Sequence, residues 1–429
     1  MRTALVAISA ALAFTLPLSA EEDASPSSSA AVGQTKKPAP APSEIVAAAP
    51  KADWVAIASE DLLVMTLAPD ADGKPRQVMI QLMPAPFSQG WVHNIRLFAR
   101  AKWYDGISVN RVQDNYVTQW GDPNYDNPEA TGKPKPLPEG LKVMTEAEYT
   151  VDVDTLSEAD SIPERAEEGE GEVLTLLTGG DERLAAIGGE PEGGGVSLEN
   201  LLAALSAVTE DSERIAMISI TPTKMPTAPE GWHQRDSYAE WTEFWRGWPL
   251  GNREIGQWFD VDGNKVDDPL LPRAERVEKG FYKENERSDF WPLHCYGMVG
   301  VGRNYSPDTG SGAELYTVIG HAPRHLDRNI ALVGRVIEGM QHLSSLPRGS
   351  GALGFYTAEE AGKRTPILTV RVASDLPASD QPAFEYLSTE SEAFARYAEA
   401  IANRRDPFFI VPAGGADICN IKVPVRRVP

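Results

Sequence analysis

For most of the chain, apolar residues fall in short blocks. LLVMTL at 62–67 and QVMIQLM at 77–83 have the length of strands, and the turn-rich PDADGKP separates them. SQGWVHNIRLFARAKW at 88–103 differs. Trp91, Ile95, Phe98 and Trp103 recur at mostly three- and four-residue steps, so the spacing predicts a helix with one buried face. Strand-like runs follow at 107–112 and 115–119. The regular pattern returns from Asp289, where CYGMVGVG, ELYTVIG, IALVGRV and PILTVRVA (366–373) read as strands. VIEGMQHLSSL reads as a short helix between the last two, and SEAFARYAEAIANRR (391–405) as a final one. No repeat of fixed period runs through the sequence.

The first twenty residues break this pattern. After Met1 and Arg2 comes ALVAISAALAFTLPLSA, an apolar run with small residues at its end, which is the layout of a signal peptide cut after Ala20. The run is shorter than the ~20 apolar residues of a spanning helix. Export is expected, to the periplasm of a Gram-negative cell, with no membrane span in the mature protein. Residues 21–52, rich in Ala, Ser, Pro and Lys, lack the large apolar side chains that would offset ordering entropy, so a disordered linker is expected.

The middle of the chain is a second interruption. Between Thr145 and Ile215 stand 19 acidic residues and 3 basic ones. With ERAEEGEGE and GGEPEGGG inside it, much of this interval reads as a solvated insertion, interrupted by a helix at 197–208. Five of the ten tryptophans then fall between Trp232 and Trp258. Trp241, Trp245 and Trp248 stand four and three apart, the spacing of a helix packing its apolar face. A stacking platform for carbohydrate in the cell envelope is the alternative use of these rings. DVDGNKVDD at 260–268 resembles a calcium loop, but its glycine comes too early for the twelve-residue register, so a polar turn is expected.

Composition narrows the chemistry. A net charge of -22 without a basic stripe argues against nucleic acid as a partner. Two cysteines, Cys295 and Cys419, cannot form a four-thiolate zinc site; in an oxidising compartment they could pair, though nothing in the sequence says that they meet. There is no G-x-S-x-G, no H-E-x-x-H, no Gly-Lys-Ser phosphate loop and no dinucleotide fingerprint. No metal, cofactor or covalent nucleophile is called for, and a monomer is expected.

One constellation remains. WYDGISVNRVQDNYVTQWGDP at 103–123 resembles the signature of the cyclophilin family: Tyr-Asp-Gly, an Arg followed by Val, then an aromatic, Gln and Gly-Asp-Pro. YGMVGVGR (296–303), SGAELYTVIG (311–320), APRHLDRNIALVGRVIEGM (322–340) and LPRG (346–349) are similar to later family blocks and occur in the family's order. The resemblance implies a mainly β fold, a closed eight-stranded antiparallel barrel capped by two helices. The barrel domain would span 53–375 with an insertion at 124–287, followed by a C-terminal helical extension at 376–429. It also implies peptidyl-prolyl cis–trans isomerase activity on proline-containing polypeptides, as an aid to the folding of exported proteins.

Residue by residue, the resemblance makes Arg111 the catalytic donor and Gln119 the amide beside it. Tyr116, Val117, Tyr316 and Leu326 would line the proline pocket. Gly302, Glu314 and His325 would touch substrate around it. Several positions depart from the pattern: Asn110 replaces a common histidine, Trp120 a glycine, Glu314 a glutamine and Arg303 an asparagine, and His325 stands where many relatives carry tryptophan. A proline-segment binder with little turnover is the alternative on the same fold.

Overall fold

A computed structural model describes residues 39–125, 127–128, 130–161, 236–266 and 279–428. Contacts divide the chain at Ala39/Pro40, and Pro40–Pro429 forms a single body. The signal peptide, the first part of the expected linker and the helix expected at 197–208 lie outside the described residues.

Among the described residues, sixteen strands run in chain order. β1 (Trp54–Ile57), β2 (Leu62–Leu67), β3 (Arg76–Leu82), β4 (Ser108–Val112) and β5 (Val117–Gly121) come first. The insertion supplies β6 (Val151–Asp152), β7 (Trp241–Trp245), β8 (Trp248–Phe259), β9 (Lys265–Val266) and β10 (Tyr282–Pro292). Then come β11 (Met298–Val301), β12 (Leu315–Val318), β13 (Leu332–Glu338) and β14 (Ile367–Val372). β15 (Phe384–Leu387) and β16 (Val425–Arg427) end the series. Five helices accompany them: α1 (Pro42–Ala47), α2 (Gln89–Arg100), α3 (Val153–Ser161), α4 (Gln341–Ser344) and α5 (Glu392–Ala402).

Eight strands make an antiparallel barrel in the order β14-β2-β3-β13-β11-β12-β5-β4. The residues leading into β4 and β14 close it: Gly106 N–H donates to Ile367 O (2.9 Å), Ile367 N–H to Ile107 O (2.8 Å) and Val109 N–H to Thr365 O (2.9 Å). Closure removes the open edges that would otherwise invite pairing with another chain. β2 shows why LLVMTL is apolar on both faces. Leu63, Met65 and Leu67 belong to the main core, while Leu62 and Val64 join a second cluster with Phe384 and Tyr386 under the sheet β1-β15-β16. Helix α2 buries Trp91, Val92, Ile95 and Phe98, as its spacing predicts. It also fixes a loop of the site's half of the barrel, because Trp91 Nε1 donates to Thr309 O (3.1 Å) and Gly310 O (3.0 Å).

The insertion is built differently from its sequence reading. The tryptophan segment forms a β-hairpin, β7 and β8, rather than a helix. Trp245 and Trp248 face each other across a two-residue turn in which Arg246 and Gly247 both take positive φ, at 44° and 81°. A four-residue step also returns to the same face of a strand, so the spacing could not distinguish the two. Both rings are buried, which leaves neither as a stacking platform. Residues 260–264 make a polar turn in which Asp260 Oδ1 accepts from the backbone of Asp262 and Asn264 (3.0 and 2.8 Å).

The expected linker is shorter at its end. Pro42–Ala47 is helical, with Ile45 and Val46 packed against the core, because these residues supply the apolar side chains that the preceding stretch lacks. The C-terminal extension is also integral. β15 pairs with β1 and β16 with β15, α5 buries Phe394 and Tyr397, and Cys295 is disulfide-bonded to Cys419.

Candidate active site

The register of four neighbouring strands sets the site. Arg111 on β4 is paired with Gln119 on β5, Gln119 with Tyr316 on β12, and Tyr316 with Gly300 on β11. These residues therefore lie in one row across the outer face of the barrel, spaced by the ~4.8 Å between strands. Alternation sends their neighbours Val112, Trp120, Leu315 and Val301 into the core. Gly300 is required by this packing: a Cβ there would lie 2.3 Å from the Tyr316 hydroxyl.

Arg111 is surrounded by neutral oxygen acceptors. Its Nη1 donates to Gln119 Oε1 (3.0 Å), its Nη2 to Gln113 Oε1 (2.5 Å) and its Nε to Leu353 O (2.6 Å). Of the five N–H donors of a guanidinium, two remain. The rings of Tyr116 and Phe355 each lie 5.6 Å from its Cζ. Burial pushes the guanidinium below its ordinary range, although the potentials of Tyr116 and Glu314 pull the other way. Leu353, whose carbonyl fixes Nε, is a non-glycine residue at φ 55° in an exposed turn. That backbone conformation costs energy and is held here by the chain around it.

Glu314 is turned inward. It is buried and accepts from Gln119 Nε2 (3.1 Å). A Cβ on Gly121 or on Gly302 would each lie 2.9 Å from a Glu314 side-chain carbon, so the two glycines make room for it. An ionised carboxylate offers only acceptors. The Gln119 amide must therefore present its nitrogen to Glu314, which leaves its oxygen for Arg111. The departure from glutamine at this position thus fixes the polarity of a chain, Glu314 to Gln119 to Arg111.

The apolar side of the site is a small cluster of Val117, Tyr316 and Val318, with Tyr116, Leu326 and Ile330 packed on it. The His325 ring lies parallel to Tyr116, 11° between planes and 6.4 Å between centroids. Behind Tyr316 runs a buried polar chain that the sequence did not reveal. The Tyr316 hydroxyl meets His294 Nε2 (2.9 Å), His294 Nδ1 meets Asp327 Oδ1 (2.9 Å), and Arg324 Nε donates to Asp327 Oδ2 (2.6 Å). Arg324 Nη1 continues to Asp236 Oδ2 (2.7 Å), in the insertion. Burial pushes the Tyr316 phenol well above its ordinary value. It would push Asp327 up as well, but the hydrogen bond from His294 and the charge of Arg324 hold that carboxyl below the usual range.

The structure thus gathers Arg111, Gln119, Gly302, Glu314, Tyr116, Val117, Tyr316, His325 and Leu326 on one face. Of the other departures, Asn110 is buried and donates from Nδ2 to Gly121 O (3.0 Å), Trp120 is core, and Arg303 is drawn to the carbonyl of Asn329 (2.9 Å from Nε). Gln113, Leu353, Phe355, His294 and Asp327 were missed. Gln113 alone carried a signal, standing two residues beyond Arg111 just past the end of β4, the spacing that returns to the same face of an extended chain.

Residues 256–372 match the family model of the cyclophilin type peptidyl-prolyl cis-trans isomerases. This part of the chain is similar to a cyclophilin domain. The match opens within β8 and closes at the end of β14, so Glu314, Tyr316, His325 and Leu326 lie inside it, whereas Arg111 and Gln119 lie in the half of the barrel before it. Cyclophilin-type domains are peptidyl-prolyl cis–trans isomerases, enzymes whose substrates are proline-containing peptides. Among solved structures, the chain is similar to cyclophilin AquaCyp293 from Hirschia baltica at 18% identity, over 87% of this chain and 93% of that one, with a TM-score of 0.47. No curated protein matches the chain. Among the described residues, no group of three or more His, Cys, Asp or Glu could hold a metal ion, and no helix is long and apolar enough to cross a membrane.

Proposed function

We propose that this cyclophilin domain isomerises X–Pro bonds of exported polypeptides, with Arg111 as the donor that favours the twisted amide. Resonance makes rotation about a peptide bond cost ~18–20 kcal/mol. In the twisted state the prolyl nitrogen loses conjugation and becomes an acceptor. A donor aimed at it binds the twisted amide better than either planar form, which is catalysis by differential binding. The observation that carries this reading is the company of Arg111: three neutral acceptors hold the fork in place, two N–H groups remain, and no carboxylate among the described residues is bonded to it to neutralise the charge. Gln119 positions the guanidinium, and the cluster around Val117, Tyr316 and Leu326 receives the proline ring. The signal-peptide layout of residues 1–20 supports exported proteins as the clients.

Arg111→Ala tests the role. A protease-coupled assay on X–Pro peptides is expected to show kcat/KM lowered by roughly two to three powers of ten, the worth of one such donor elsewhere, with far-UV circular dichroism unchanged. Turnover near that of the wild type would overturn the assignment.

A further inference from the structure

We infer that the groove beside His325 is a second subsite, one that holds uncharged, extended residues flanking the X–Pro bond; this rests on the isomerase reading above. The groove encloses a cavity of about 520 Å³, within the size range of sites that take peptide-sized ligands. It shares a wall with the proline site. Tyr116 and His325 line it, their rings are stacked, and the Arg111 guanidinium lies over the Tyr116 ring, 5.6 Å from its centroid. A polypeptide leaving the proline pocket across Tyr116 therefore runs onto this surface.

The opposite wall comes from parts of the chain outside the 256–372 match. Tyr238 lies in the insertion, just before β7, and Asn420 in the C-terminal extension. Both are exposed, yet both are held. Asp236 Oδ1 accepts from the backbone N–H groups of Tyr238 (2.7 Å) and Ala239 (2.9 Å), and Arg324 grips the Asp236 carboxylate from below. Asp417 Oδ1 accepts from Cys419 N–H (2.8 Å), and Cys419 is tied to the barrel through Cys295. A wall anchored in this way offers a formed surface, so little ordering is required of it when a ligand arrives.

The chemistry of the lining selects the occupant. Its one arginine is already engaged: Arg324 is paired with two carboxylates and lies over the Tyr238 ring. What faces the groove is aromatic surface with phenol and amide groups, from Tyr116, Tyr238, Tyr296 and Asn420. Rigid aromatic rings interleaved with adaptable amides suit backbone amides and apolar or aromatic side chains in extended form. An anion would find Arg324 already paired, and the carboxylate outside that ion pair, Asp417, accepts from Cys419 N–H.

Two peptides test the subsite on the full-length chain: a short blocked X–Pro peptide, and the same sequence lengthened on both sides with tyrosine and leucine. The wild type is expected to favour the longer peptide in kcat/KM, with the gain in KM. Tyr238→Ala and Asn420→Ala are each expected to reduce the long-to-short ratio by roughly three- to tenfold, the worth of an aromatic contact, with the short peptide as reference within each variant. Equal kcat/KM for the two peptides in the wild type, or a ratio that neither substitution moves, would overturn the subsite. Absence of turnover on both peptides would instead strike the isomerase reading. The subsite then stands or falls on calorimetric titration of the long peptide: binding weakened by Tyr238→Ala upholds it, and binding that is absent or indifferent to the substitution removes it.

Discussion

Two arginines on this side of the barrel keep different company. Among the described residues Arg111 bonds only to neutral oxygens, and burial pushes it below its ordinary range. Arg324 is pushed the same way by burial, yet Asp327 and Asp236 raise it above its ordinary value. In the second case the charge is cancelled within the fold, and the guanidinium joins elements. In the first it is desolvated but left available. Arg335 adds the remaining condition. It too bonds to neutral oxygens, Gln81 Oε1 and Gly247 O, and burial lowers it to about 10, but the Trp248 ring covers it at 4.5 Å. A buried arginine is poised for a ligand when its partners are neutral and one side is open.

Substitutions can break this contrast. The largest effect is expected from Arg324→Ala, which strips two buried carboxylates of their shared cation at a cost of about 3–5 kcal/mol, read as a lowered urea midpoint. An unchanged midpoint would show that the ion pairs are incidental. Arg111→Lys should act on turnover instead. It keeps the charge but loses the fork that three acceptors hold, so kcat/KM is expected to drop roughly tenfold or more, with a smaller shift in stability than Arg324→Ala produces. Tyr316→Phe comes next. It preserves the ring that faces proline but strands His294 Nε2, costing about 1–3 kcal/mol. Turnover should survive it better than it survives Arg111→Lys, and equal losses in both would mean that the hydroxyl does more than hold the ring.

The smallest effect is a pH dependence. Asp327 titrates below its ordinary value in the fold, so over the interval between that depressed value and ~3.9 the unfolded chain binds the extra proton. The stability it confers is present above ~3.9 and is lost as pH falls through the folded value. Denaturation midpoints across this acid range should fall more steeply for the wild type than for Asp327→Asn.

The barrel was legible because its strands carry apolar runs bounded by turn residues, and the row Arg111, Gln119, Tyr316 because motif residues mark each strand. What surrounds that row was not. Leu353 reaches Arg111 through a backbone carbonyl, which no side-chain pattern records. His294 and Asp327 meet only through the fold, 33 positions apart. The hairpin at Trp245 and Trp248 was misread because steps of four suit strand and helix alike. The pairing of Cys295 with Cys419 depends on where the C-terminal extension packs, and nothing local to either residue specifies that.

The strand order has a consequence for how the chain tolerates cutting. β2, β3, β4 and β5 precede residue 162, and β11, β12, β13 and β14 follow residue 236, yet the two sets alternate around the barrel. Four of the eight seams, β14–β2, β3–β13, β12–β5 and β4–β14, join one set to the other. A single protease nick between residues 162 and 235 would sever the covalent link and none of these seams. The pieces would stay associated as a complemented pair, and the row from Arg111 to Tyr316, which itself crosses a seam, would pass from one polypeptide to the other.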